Sequence, residues 1–89
     1  MIEREVEIVN RLGLHARAAA KLVHLAGRFS SQVTVVKDDE EVDAKSILGL
    51  MLLAAAQGSW IVVRCEGTDE VEALENIALL IANRFDEDS

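Results

Sequence analysis

The sequence predicts an α+β domain, a sheet of strands with helices on one face. Three observations lead there. Alternating or β-branched apolar runs at Ile2–Val9, Gln32–Lys37 and Trp60–Cys65 write strands. Apolar residues spaced three and four apart write helices from Ala16 to about Gly27 and beyond Asp69. A length of 89 residues, half of them apolar, holds one small core between two layers, so residues 1–89 read as a single domain.

In the first strand Ile2, Val6 and Ile8 alternate with Glu3, Glu5 and Glu7 until Asn10–Gly13 breaks the pattern. Ala19, Leu22, Val23 and Ala26 then put one apolar face on a helix, with Gly27 as its stop. Val33, Val35 and Val36 mark the second strand, Asp38 and Asp39 supply a turn, and Glu40–Ala44 returns as a third strand in a hairpin. Ser46 is a good N-cap for an apolar helix over Ile47–Ala56, ended by Gln57-Gly58. Trp60–Cys65 is the fourth strand. Asp69, Glu70 and Glu72 favour a helix N-terminus, and Val71, Leu74, Ala78, Ile81 and Phe85 mark a last helix to about Arg84. The acidic end Asp86–Ser89 reads as a frayed tail. The order β-α-β-β-α-β-α fits a mixed or antiparallel sheet.

Composition excludes several classes. One cysteine, Cys65, allows no internal disulfide and reads as a buried small hydrophobe, and no Cys/His spacing suits zinc or another metal. The longest apolar run, Ile47–Ala56, is too short to cross a bilayer, and no signal peptide opens the chain; a cytoplasmic protein is expected. The net charge of −7 argues against nucleic acid. Its sign is unevenly spread, however. From Ile8 to Lys37 stand Arg11, Arg17, Lys21, Arg28 and Lys37 with no acid among them. That cluster is either a solvated face or a place that steers an anionic group to one spot.

The candidate site lies there, in Leu12-Gly13-Leu14-His15-Ala16-Arg17-Ala18-Ala19-Ala20-Lys21. A helix beginning at Ala16 puts His15 at the N-cap, where Ser, Thr, Asp or Asn usually satisfies an orphan N–H. The first-turn N–H groups of Ala16, Arg17 and Ala18 are then free to hold an anion. Arg17 adds planar donors suited to phosphate. Imidazole is nucleophilic near neutral pH and can carry a covalent group. The plainer reading makes His15 a surface residue and Gly13 a convenience of the turn.

Gly13-Leu14-His15-Ala16-Arg17 before an Ala-rich helix, with Lys45-Ser46-Ile47 some thirty residues on, resembles the HPr family of bacterial phosphocarriers over nearly the whole chain. The ending Arg84–Asp88 and the stretch Ser46–Met51 look most like the nitrogen-related branch (NPr). The resemblance implies an open-faced two-layer sandwich, a four-stranded antiparallel sheet covered on one face by three helices. It also implies a phosphotransferase-system role: His15 accepts a phosphoryl group on Nδ1 from enzyme I and passes it to an enzyme IIA, for sugar uptake or nitrogen-related regulation. Arg17 would neutralise that group. Such a protein is a phosphotransfer intermediate, not a stand-alone catalyst, and needs no cofactor. One departure is Ala18, where the family usually has proline; Ala18 adds an N–H to the first turn, and the chemistry is expected to survive.

By the same resemblance Ile47, Leu48 and Met51 belong to a docking surface beside the histidine, and His24 stands where partners touch. Ser46 matches a regulatory phosphorylation site read in some bacteria by an HPr kinase/phosphorylase. Its residue-level role is the N-cap. A helix apolar all round in so small a domain exposes part of itself, in keeping with docking. A transient docking face on an acidic domain fits a monomer. Three other classes compete: a non-carrier regulatory relative that binds partners through Ile47–Met51, an acyl carrier and a small-molecule sensor. Retention of His15 and Arg17 disfavours the first. Four written strands, with Lys45 before Ser46, disfavour the second. Nothing in the sequence demands the third.

Overall fold

The computed structural model describes residues 1–89 and orders them as β1 (Ile2–Glu7), α1 (Ala16–Ala26), β2 (Gln32–Lys37), β3 (Glu40–Asp43), α2 (Ile47–Leu52), β4 (Trp60–Glu66) and α3 (Glu70–Ala82), closed by a single turn at Arg84–Asp86. The strands form one antiparallel sheet in the order β1-β4-β2-β3. All three helices lie on one side of it, which is the open-faced α+β sandwich expected, and it resolves the mixed-or-antiparallel choice. Alternation drives the layering. Ile61, Val63 and Cys65 of β4 and Val33 and Val35 of β2 are buried beneath the helices. The open face carries Trp60, Val62 and Arg64. There Arg64 Nη1 meets Glu41 Oε1 at 3.0 Å and its Nε meets Glu3 at 3.5 Å, surface pairs of small worth.

Helix α1 buries Ala18, Ala19, Leu22 and Ala26, close to the predicted stripe, and α3 buries Ala73, Leu74, Ile77, Ala78 and Ile81. Val71, expected on that inner face, is 56% exposed. Cys65 is buried as expected; burial first, then the negative charges of Glu70 and Asp69, pushes its thiol above the ordinary cysteine range.

The first strand, expected to Val9, stops at Glu7, and two expectations fail at helix ends. The second helix does not run to Ala56 but stops at Leu52, and Ala54 takes φ 50. Alanine favours helix, yet the Ala55 carbonyl accepts from Leu14 N–H at 2.9 Å, and that long-range bond overrides local propensity. The last helix stops at Ala82 instead of continuing to Arg84. Arg84, Phe85 and Asp86 take φ 60, 52 and 62. Each such residue costs about 1–2 kcal/mol. What the reversal gains is burial: Phe85 enters the core, and its carbonyl accepts from Lys21 Nζ at 2.6 Å.

Asp69 occupies the N-cap position of α3 without capping it. Its carboxylate turns to the chain after α1, accepting from Ser30 N–H and Ser31 N–H at 2.9 Å each and from both hydroxyls. The Ser31 hydroxyl, then the Ser30 backbone, holds the carboxyl down at about 2. A carboxyl lowered on folding stabilises above its unfolded value and loses that contribution as pH falls through the folded one. Asp69→Ala is therefore expected to lower the urea midpoint at pH 7, with the deficit shrinking between about pH 4 and about pH 2. A deficit constant over that range contradicts the ionic anchor.

Candidate functional site

The approach to α1 is set by a close crossing of two loops. Gly13 has φ +69, and a Cβ there would lie 2.5 Å from the Ala55 carbonyl oxygen, so only glycine fits. Leu14, the next residue, donates to that same oxygen and buries its side chain. The chain arrives at His15 extended, with φ −79 and ψ 179. Ala19 N–H to His15 O, 2.8 Å, is the first bond into the helix. No side chain caps the helix, and the N–H groups of Ala16, Arg17 and Ala18 have no acceptor in the protein. The uncapped start anticipated from the sequence is present. Free N–H groups and the helix dipole favour an anion there, by about 0.3–1 kcal/mol per charge at a surface.

His15 opens on a basin of about 590 Å³ whose lining includes Arg11, Arg17 and Lys21. Its ring is 28% exposed, enough for a reacting group to approach. Arg17 is exposed on the first turn of α1. Farther along, Arg17, Lys21 and His24 of that helix and Arg28 just past its end border a shared groove with Leu25, Leu80 and Asp86. Two members of the positive cluster, Arg17 and Lys21, thus share one helix, with Arg28 just beyond its end and Arg11 before it. His24 sits on that groove, exposed and apart from His15.

The expectation of a frayed acidic tail is wrong. Asp86, Glu87 and Asp88 also line the basin. Glu87 bonds Nε2 of His15 with one carboxylate oxygen and accepts from Asn10 Nδ2 with the other at 3.0 Å. Buried Phe85 anchors this turn, two residues before Glu87. Burial alone would raise the Glu87 carboxyl. The hydrogen bonds from Asn10 and His15, with the charges of His15 and Lys21, outweigh it and bring the carboxyl below the ordinary glutamate range. Sequence reading missed Asn10 and Glu87, and placed Lys21 in the basic cluster without its bond to the Phe85 carbonyl. Asn10 was legible only as a strand breaker, and no local pattern joins residue 87 to residue 15.

The remaining candidates lie on α2, which packs against α1. Ser46 Oγ accepts from Gly49 N–H at 3.1 Å, the expected N-cap. Ile47 and Met51 are 43% and 42% exposed, Leu48 and Leu52 71% each, while Leu50 and Leu53 point into the core. Leu52 extends the apolar patch by one residue beyond those anticipated. No helix is long and apolar enough to cross a membrane.

Comparison with known proteins agrees with this architecture. Residues 2–83 match the family model described as PTS HPr component phosphorylation site. The chain is 53% identical over 87 residues to Phosphocarrier protein HPr of Cupriavidus necator, covering 98% of both chains. It is 51% identical over 89 residues to Phosphocarrier protein HPr of Xylella fastidiosa, covering all of both. A crystal structure of HPr-C-His from Thermoanaerobacter tengcongensis superposes with a TM-score of 0.96 at 46% identity, again over the full length of both.

Proposed function

The chain belongs to the HPr family of phosphocarriers of the phosphotransferase system, and from that premise we propose that it accepts a phosphoryl group on His15 from enzyme I and delivers it to an enzyme IIA. The observation that carries this reading is the juxtaposition of an imidazole with the uncapped first turn of α1. The N–H groups of Ala16, Arg17 and Ala18 and the guanidinium of Arg17 stand ready for phosphoryl oxygens. Such donors act on the charge of the transferring group and need not reorganise as it moves. In the forward step a ring-nitrogen lone pair forms the N–P bond while the donor's bond to phosphorus breaks, its electrons leaving with the donor. In delivery the same bond breaks back onto the ring. Phosphorus is held by charge and direction more than by depth, which suits a group meant to be passed on.

Donor and acceptor dock on the apolar edge of α2, Ile47, Leu48 and Met51 with Leu52, and on Arg17, Lys21 and His24 of α1. A phosphoryl group on Ser46 would place charge at the border of that patch and oppose docking. A purely binding relative would use the patch alone; it has no need of His15 at an uncapped helix start. Chain phosphorylated by enzyme I and phosphoenolpyruvate, freed of donor and mixed with enzyme IIA, is expected to lose its phosphoryl group as the IIA gains one. Running sugar-branch and nitrogen-branch IIA proteins side by side identifies the branch. Retention of the group with every IIA contradicts the relay.

A further inference from the structure

Resting on the carrier reading above, we propose that Glu87 is a positioning residue for phosphoryl transfer: its carboxylate holds the ring proton of His15 on Nε2 and leaves the Nδ1 lone pair for phosphorus. The geometry selects the tautomer. Glu87 bonds the ring at Nε2. An ionised carboxylate only accepts hydrogen bonds, so Nε2 must be the donor. In the neutral ring the other nitrogen, Nδ1, then carries the lone pair.

Glu87 is itself held from behind. Asn10 is buried, and its Nδ2 donates one hydrogen to Gly13 O at 2.7 Å and the other to Glu87 Oε1 at 3.0 Å. Both partners are acceptors, so the amide cannot turn over. Its Oδ1 stays buried without a partner, a sacrifice that keeps the Nδ2 face toward the tail. Asn10 thereby links the loop that delivers His15 to the carboxylate that orients it. Phe85 in the core and Lys21 on its carbonyl fix the tail from the other end.

The electron count gives Glu87 a second effect. When Nδ1 attacks, the N–P bond forms and the donor leaves with the electrons of its own bond to phosphorus. No proton moves: Nε2 keeps its hydrogen, and the ring becomes cationic against the Glu87 carboxylate. On delivery the N–P electrons return to Nδ1, and the ring is neutral again with its proton in place. A carboxylate at Nε2 stabilises the charged ring without joining the transfer, as in other carboxylate–histidine pairs.

The test uses the full chain, wild type and Glu87→Ala, with two readouts. Nitrogen-15 spectra of the unphosphorylated His15 ring, taken where it is neutral, are expected to show the Nε2–H form alone in wild type and a share of the Nδ1–H form in the variant. The single-turnover rate of phosphoryl gain from phosphorylated enzyme I, at saturating donor, is expected to fall roughly 10–100-fold, with little change in the donor concentration that half-saturates it. A mixed tautomer in wild type, identical ring spectra in the two proteins, or a variant as fast as or faster than wild type overturns the proposal; the last would make the tail an obstruction. If wild type gains no phosphoryl group, the carrier reading fails, and the ring spectra still decide whether Glu87 sets the tautomer.

Discussion

Phe85→Ala is expected to destabilise the protein by about 3–5 kcal/mol, the usual cost of truncating a buried phenylalanine. At about 0.05–0.15 kcal/mol per residue, that is a large share of the stability of an 89-residue chain. Phe85 is the only aromatic side chain with no exposed surface; Trp60 is 55% exposed and Phe29 only partly buried. It also offsets the left-handed backbone of Arg84–Asp86, so its loss removes the reason for the turn. Thermal unfolding is expected to fall by more than about 12 °C, and the urea midpoint should move with it. The tail that carries Glu87 should loosen at the same time, seen as faster amide exchange at Asp86 and Glu87. A loss under about 1 kcal/mol, the scale of a surface change, would mean that the turn is not seated in the core.

Much of this architecture was legible because local pattern and tertiary need agree. β2 came out with its boundaries intact, since alternating valines bounded by turn residues fit only a half-buried strand. α1 and its bare N-terminus were legible too: a glycine, a histidine and an arginine occupy the few positions where a capping side chain would stand. The helix Ile47–Ala56 was overextended because three alanines propagate a helix locally, and nothing nearby says that the Ala55 carbonyl is required by Leu14. The tail was misread for the same reason on a larger scale. A short acidic terminus looks solvated, yet Phe85 one residue earlier is pulled into the core and carries Glu87 to His15. Asn10 resembled loop punctuation; its value lies in two hydrogen bonds to groups 3 and 77 residues away. Contacts set by the packed molecule leave no periodicity to read.

The central claim is that His15 is the phosphoryl acceptor, and here the expected effect is all or none. The ring is the one nucleophile at the uncapped start of α1, part-exposed, with free N–H groups and Arg17 beside it. His24, exposed on the same helix without those donors, is an internal control. The most direct measurement is the intact mass of the protein after incubation with phosphoenolpyruvate and enzyme I, repeated after mild acid and with His15→Ala. The account predicts a gain of one phosphoryl group that acid removes and that His15→Ala never acquires. No gain under conditions that label a known carrier, or a gain that survives in His15→Ala, would contradict it.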